Sequence, residues 1–311
     1  MVRGIDMGLR KFAARAARRS SADAVFLLCN GLFLGFILLI VIYPVWYAFI
    51  ASFSDPMAVS RGELVLLPRG FDLSAYEKVF GYERVMTGYR NTIVYTLAGT
   101  VVNTLMVAIT AYPLSRRDLW GRNVLTKLFV FTMYFSGGLI PTYLLVRNVG
   151  LYNSMWALIL PSCVSMYNVI IMRSYFSNSL PFELQEAAMI DGCSNVSMLL
   201  RIVLPLSTPV LAVILLYHAV GYWNMYFSAL IYLADADKYP LQMVLRDILI
   251  STQITEMMDT AESAESMIQQ ALLANSIKYA LIVVSSVPVI VIYPFLQKYF
   301  EKGIMLGAVK G

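Results

Sequence analysis

The sequence predicts an all-α integral membrane protein with six transmembrane helices and both termini on the cytoplasmic side. Three observations predict it: a composition too apolar for a soluble domain, six long apolar segments nearly free of charge, and an uneven share of basic residues between the loops. Of the 311 residues, 59% are hydrophobic and 14% charged, against roughly 45–50% and 25% in soluble domains. A soluble core of this size cannot hide so many apolar side chains. Six spans of about 20 residues each absorb a large part of them.

Residues 1–24 form a basic cytoplasmic segment, with Arg10, Lys11, Arg15, Arg18 and Arg19. It reads either as a solvated topology anchor or as an interfacial helix lying on anionic membrane lipid. The first apolar segment, Val25–Phe53, is too long and too far from the start for a signal-peptide core, so it reads as an uncleaved span. Asn91–Leu114, Leu125–Val146, Asn153–Phe176, Leu206–Leu233 and Ser276–Leu296 follow. Gly137-Gly138, Pro141, Pro161, Pro209 and Pro288 give these spans places to kink. The N-terminus, the 115–127 and 173–205 loops and the C-terminal tail together hold 15 Lys and Arg against 7 acids, while the opposite side holds 9 against 12. The basic side is expected in the cytoplasm. Residues 25–298 thus form one six-span domain with outer loops 54–90 and 235–275, a cytoplasmic loop 177–205 and a cytoplasmic tail 299–311.

Several functions are excluded at this level. A net charge of +5 over the whole chain is a weak footprint, and nucleic acid is not an expected partner. Cys29, Cys163 and Cys193 have neither metal nor redox spacing. His218 is the sole histidine, so no multi-histidine zinc site exists and no metal is expected. Ion-coupled carriers bind their ion at charged groups deep in the membrane, yet the only charged side chains in the apolar segments are Lys127, Arg173 and Lys278, near the ends. His218 is therefore either a packed, hydrogen-bonded imidazole or a lone proton relay. No phosphate-binding G-x-x-x-x-G-K-[ST] loop occurs, and no nucleophile–base pair or ligand cluster. The chain reads as a non-enzyme with no catalytic residue and no cofactor of its own; energy for uphill transport comes from a partner.

The 177–205 loop is more than a connection. Pro181 suits the first turn of a helix, Glu183 and Glu186 lie near its start where the dipole favours acids, and Asp191-Gly192 supplies a left-handed stop. Ser194 is placed to cap a second short helix, and Pro205 marks the start of the fifth span. Two short helices with an Ala187-Ala188 pair on the surface make a compact knob, where small side chains let another protein come close and Glu186 offers one charge.

Glu186-Ala187-Ala188, three residues, Gly192, nine residues, then Ile202-x-Leu204-Pro205 resembles the E-A-A-x3-G-x9-I-x-L-P loop of bacterial ABC-importer permeases. Phe53-Ser-Asp55-Pro56, Ala111-Tyr-Pro-Leu-Ser-Arg116, Ser136-Gly-Gly-Leu-Ile-Pro-Thr-Tyr143, Trp223-Asn224 and Tyr293-Pro-Phe-Leu-Gln-Lys-Tyr299 are similar to the MalG-like, carbohydrate-uptake branch, especially its subgroup for lipoprotein-dependent, aldouronate or pectin-oligosaccharide uptake. The resemblance implies a type I importer permease fold in the bacterial cytoplasmic membrane. It also implies a heterodimer with a second, MalF-like permease, two ATPase subunits that bind ATP and Mg, an extracellular solute-binding lipoprotein, and an oligosaccharide as solute. It makes Glu186, Ala187, Ala188, Asp191, Gly192, Leu204 and Pro205 the ATPase-coupling residues, and Lys310 and Gly311 a C-terminal ATPase contact.

Sugars are met by aromatic faces and by amide or hydroxyl groups. Trp223, Asn224, Tyr167, Asn168, His218, Tyr222 and Tyr226 are the candidates inside the spans, with Trp223-Asn224 foremost, although Trp and Tyr also form interfacial belts and Asn also packs between helices. The acid-rich 235–275 loop, with Asp247, Glu256 and Asp259, is either a docking surface for the binding protein or a solvated cap. A secondary carrier without an ATPase, or a permease for a non-sugar solute, is the alternative reading.

Overall fold

The computed structural model describes residues 21–257, 276–291 and 294. Among these the chain is helical between its turns, and the only β-type pairing is one isolated bridge, Ser54 to Phe71. Two compact units meet in sequence between Leu73 and Ser74.

In the first unit, α1 (Ser21–Ala51) runs for 31 residues. At 1.5 Å per residue that exceeds the hydrocarbon thickness of about 30 Å. Nearly every described side chain from Val25 to Trp46 is exposed, and a helix apolar on all sides suits lipid. Its end is closed by a turn. Asp55 caps α2 (Pro56–Ser60) by accepting from the Met57 amide at 3.2 Å, and Pro56 sits where its missing N–H costs nothing. Gly70, at φ +64, brings the chain back so that the Asp55 amide donates to Arg69 O and the Asp72 amide to Phe53 O.

In the second unit, a short α3 (Ser74–Gly81) leads into α4 (Glu83–Ser115), whose 33 residues run the length of the unit's described core. It starts two turns before the expected Asn91, because Glu83, Arg84 and Arg90 fail an apolar test yet suit a helix that has left the hydrocarbon, and Glu83 complements its N-terminal dipole. Against α4 lie α8 (Met166–Ser179), α12 (Thr208–Trp223) and α14 (Leu241–Met257).

Three of the other expected spans are not single helices. Leu125–Val146 becomes α5 (Arg122–Tyr134) and α6 (Leu139–Asn148), meeting at 109°. Gly138 starts α6 at φ +87, ψ 175, a conformation natural only to glycine. Asn153–Phe176 becomes α7 (Met155–Ile159) with a 3-10 turn Leu160–Ser162, then α8 at 53°, with Pro161 at the break. Leu206–Leu233 becomes α12, which stops at Asn224, and a short α13 (Phe227–Tyr232). Last among the described helices is the shorter apolar α15, Ser276–Val291. An apolar window reports solubility in lipid and carries no information about direction; here Gly-Gly and proline change the direction within one apolar run.

The first half of the expected outer loop 235–275 has its own helical structure. After a 3-10 turn Ala236–Lys238, α14 buries Leu241, Val244 and Leu245 against Val85, Trp223, Ala280 and Leu281. Gly88 makes this possible: a β-carbon there would lie 3.2 Å from the Leu241 Cα. The 234–241 segment is tied down, since Asn91 Nδ2 donates to Asp237 O (2.7 Å), Tyr95 Oη to Lys238 O (2.9 Å), and Asn153, at φ +60, accepts from the amides of Ala234 and Asp235.

A second apolar core joins Val107, Ala111 and Leu114 of α4 to Val169, Met172 and Phe176 of α8, Val210 and Ile214 of α12, and Ala188, Met198 and Val203 of the 177–205 loop.

Candidate functional site

Along α4 between the two cores runs a polar layer: buried Thr100, Asn103 and Thr104, facing Asn168 of α8 and His218 and Tyr222 of α12. Buried polar groups require partners, and Asn103, Thr104, Asn168, His218 and Tyr222 provide them for one another, while the buried Thr100 Oγ1 and Asn103 Oδ1 have no hydrogen-bond partner among the described residues. Asn168 Nδ2 stands 2.9 Å from His218 Nε2, and Thr104 Oγ1 stands 3.2 Å from Nδ1. With Asn168 donating, Nε2 accepts, and this assignment leaves the ring proton on Nδ1 for Thr104. Asn103 Nδ2 donates to the Tyr222 hydroxyl at 2.8 Å and to Ser162 O at 3.4 Å. His218 is a packed, doubly hydrogen-bonded imidazole with both nitrogens in use.

This layer forms one wall of a cavity of about 440 Å³, to which Ser162, Ser165, Asn224 and Tyr226 also contribute. Among the described residues, no Lys, Arg, Asp or Glu lines it. It offers amides, hydroxyls and aromatic faces, which suit a neutral, hydroxyl-bearing solute.

Of the seven residues expected on the pathway, the fold brings Asn168, His218, Tyr222, Asn224 and Tyr226 to this cavity. Trp223 is elsewhere: it is buried among Val85, Leu241 and Val284, its Nε1 donates to Ser285 O at 3.0 Å, and its ring meets Tyr89 edge-on. Adjacent residues on a helix point about 100° apart, so Trp223 and Asn224 do not share a direction. Tyr167 is exposed and outside the cavity lining for the same reason, next to the inward Asn168. Asn103 and Thr104 are additions from the fold. Their signal is in the sequence, where Thr92, Thr96, Thr100, Asn103 and Thr104 recur at helical spacing along an apolar span.

The 177–205 loop forms the expected pair of short helices. The first, α9 (Phe182–Ile190), has Pro181 as its N-cap, one position earlier than expected. It ends in a Schellman turn: Gly192, at φ +75, donates to Met189 O, and Cys193 donates to Ala188 O. Asp191 is the exposed C-cap. The second, α10 (Asn195–Met198), is capped by Ser194, whose Oγ accepts from the Ser197 amide at 3.3 Å. A π turn, Leu199–Val203, leads to Leu204 and Pro205 in α11 (Leu204–Leu206), and the chain bends by 87° into α12. Glu186 and Ala187 are exposed, but Ala188 is 8% exposed and belongs to the core. The expected surface pair is therefore split, with one alanine outward and the other seating the helix.

The turn between α4 and α5 supplies a residue to which the sequence alone assigned no site role. Arg116 is buried, and its Nε and Nη2 donate to both oxygens of Asp118 at 2.8 and 2.7 Å. That guanidinium holds the Asp118 carboxyl below the usual carboxylate range.

Of the expected docking acids, Asp247 is exposed on α14 within 3.9 Å of Arg246. Glu256 is in the same helix with its side chain outside the described set; Asp259, Lys310 and Gly311 lie outside the described residues. Among the described residues no group of three or more His, Cys, Asp or Glu is placed to hold a metal.

Residues 104–306 match the family described as binding-protein-dependent transport system inner membrane component. The chain is 42% identical over 292 residues to Protein LplC of Bacillus subtilis (strain 168), covering 94% of this chain and 97% of that protein. It is 43% identical over 281 residues to the polygalacturonan/rhamnogalacturonan transport system permease protein YtcP of the same organism, covering 89% and 96%. A crystal structure of a bacterial ABC transporter involved in the import of the acidic polysaccharide alginate contains a chain 35% identical to this one, with a TM-score of 0.82 over 91% of this chain and 99% of that one. The chain belongs to the family of binding-protein-dependent transport system inner membrane components, and it is an integral membrane permease subunit of an ABC importer with the type I permease fold, not an enzyme.

Proposed function

We propose that this chain is one permease half of an ATP-driven importer of oligosaccharides in the bacterial cytoplasmic membrane. The observation that carries the reading is the exposed face of α9, where Glu186 and Ala187 stand outward from a helix seated on the core by Gln185 and Ala188. A seated helix with a small, singly charged outer face suits a cleft in a separate ATPase. Glu186, Ala187, Asp191 and Gly192 make that contact, and Ala188, Leu204 and Pro205 hold the knob to the spans. Lys310 and Gly311 add a second ATPase contact.

In this reading the chain crosses the membrane six times with both termini inside. It pairs with a MalF-like permease and two ATPase subunits that bind ATP and Mg, and it receives solute from an extracellular lipoprotein at an outer rim bearing Asp247, Glu256 and Asp259. The solute pathway runs past Asn168, His218 and Asn224. Its neutral hydroxyl and amide groups, together with a relative named for polygalacturonan/rhamnogalacturonan transport, support an oligosaccharide as cargo. ATP-driven closure of the ATPases moves the knob and shifts the spans between inward- and outward-open states. The full complex in proteoliposomes tests this: Glu186→Ala should abolish solute-stimulated ATP hydrolysis, and wild-type stimulation in that variant would refute the coupling role.

A further inference from the structure

Arg116 follows α4 directly and is only 6% exposed. An arginine is costly to bury unless its whole fork is matched. Here one side of the fork binds its own neighbourhood, Asp118 through two bonds and the Tyr112 hydroxyl at 3.0 Å. The other side crosses to the 177–205 loop, where Nη1 donates to Asn195 Oδ1 at 3.1 Å and to the Met198 sulfur at 3.8 Å, and Nη2 to the Met189 sulfur at 3.5 Å. These three partners fall on both loop helices: Met189 at the end of α9, Asn195 and Met198 on α10.

Two further contacts stiffen the same corner. Arg173 Nε of α8 donates to Leu114 O at 2.9 Å, satisfying a carbonyl in the last turn of α4 where a cation complements the dipole. Arg122 Nη1 donates to Arg116 O at 3.2 Å. Three turns back along α4 lie Asn103 and Thr104, which hold Tyr222 and His218 at the cavity.

We propose that Arg116 is the positioning residue that fastens the α9–α10 knob to the end of α4, so that displacement of the knob is carried along one continuous helix to the Thr104–His218–Asn168 and Asn103–Tyr222 contacts. The inference rests on reading the 177–205 loop as the ATPase-coupling loop. Met189, Asn195 and Met198 present no charge to Arg116, so what the loop receives is a fixed geometry, which a lysine's single ammonium does not reproduce.

The test is uptake per ATP hydrolysed by the complete complex in proteoliposomes, measured alongside retention of the ATPase subunits. R116Q should lower that ratio about ten-fold with ATPase subunits retained, and R116K should behave more like R116Q than like wild type. N195A should lower it less, and R116Q/N195A should be no worse than R116Q, since both remove one shared contact. A wild-type ratio in assembled R116Q complexes, or additive losses in the double variant, overturns the proposal. Should R116Q fail to assemble, N195A decides, because Asn195 is exposed; a wild-type ratio there overturns it equally. Glu186→Ala separates the two readings: wild-type solute-stimulated ATP hydrolysis in Glu186→Ala with a low ratio in R116Q defeats the Glu186 contact but leaves Arg116 as the fastening of the loop, and lost stimulation in Glu186→Ala with a wild-type ratio in R116Q defeats Arg116 alone.

Discussion

Gly99 of α4 sits directly against the Tyr222 ring of α12, so close that a β-carbon at position 99 would overlap the ring's Cζ, Cε1 and Cε2 atoms. The absent side chain lets the two helices approach until the Tyr222 hydroxyl reaches Asn103. Gly99→Ala should therefore push the ring out of its bond with Asn103 and destabilise the protein by about 1–3 kcal/mol, the usual cost of overpacking. Thermal unfolding in detergent measures the loss, and shrinking the partner (Tyr222→Leu) in the Gly99→Ala background should recover part of it. Additive losses would show that the two residues do not compete for the same space.

His218 spends both ring nitrogens on Thr104 and Asn168, which leaves none free to pass a proton onward. Uptake by the reconstituted complex should continue when a protonophore collapses the proton gradient and stop when ATP is withdrawn. The opposite pattern would favour an ion-driven carrier. Asn168→Ala leaves His218 with a buried unpaired nitrogen and should cost about 1–3 kcal/mol in a melting experiment.

Trp223 is a packing residue in this fold, with its indole N–H bonded to Ser285 O. Trp223→Ala should open a cavity and lower stability by about 3–5 kcal/mol, while Trp223→Phe should be milder. Competition assays should find the same order of preferred solutes for Trp223→Phe as for the wild type. Asn224→Ala, at the cavity wall, should change that order.

Gly192 holds φ +75 at the turn between α9 and α10. Gly192→Ala forces a side chain into a left-handed conformation at about 1–2 kcal/mol, and Gly192→Asp adds a charge beside the surface proposed to face the ATPase. Both should reduce solute-stimulated ATPase activity, Gly192→Asp the more, as measured by phosphate release.

The Arg116–Asp118 pair has a defined pH signature. The folded Asp118 carboxyl titrates below its unfolded value because of its bonds to Arg116, so its stabilisation is present at neutral pH and is lost as pH falls through the folded value. With the Asp118 side chain 60% exposed, the effect is about 1 kcal/mol or less. The melting temperature should be insensitive to this pair from about pH 5.5 to 8 and decline below about pH 4. Asp118→Asn should flatten that acid-side decline, and an unchanged acid slope would remove the pair from the account.

Composition and charge were enough to predict a helical membrane protein, because apolar length and loop charge are properties of the chain itself. The Glu186-Ala187-Ala188 to Pro205 spacing was likewise enough to find the knob, since caps such as Ser194 and stops such as Gly192 act within a few residues. Broken spans were less legible. The Gly137-Gly138 pair and Pro161 marked where a bend was allowed, while the angles of 109° and 53° depend on what each half packs against.

What the sequence determined by itself was therefore local and additive: membrane partition, helix ends, and the motif that marks the permease family. The tertiary structure decided which way each side chain points. It turned Ala188 inward and left Ala187 outside, buried Trp223 and left Asn224 on the cavity, and placed Arg116 against Asn195. The cause is that partners such as Asn103 and Tyr222, or Thr104 and His218, lie 119 and 114 residues apart. On a helix, a step of one residue turns a side chain by about 100°, and only contacts that distant in sequence fix the direction that faces the core.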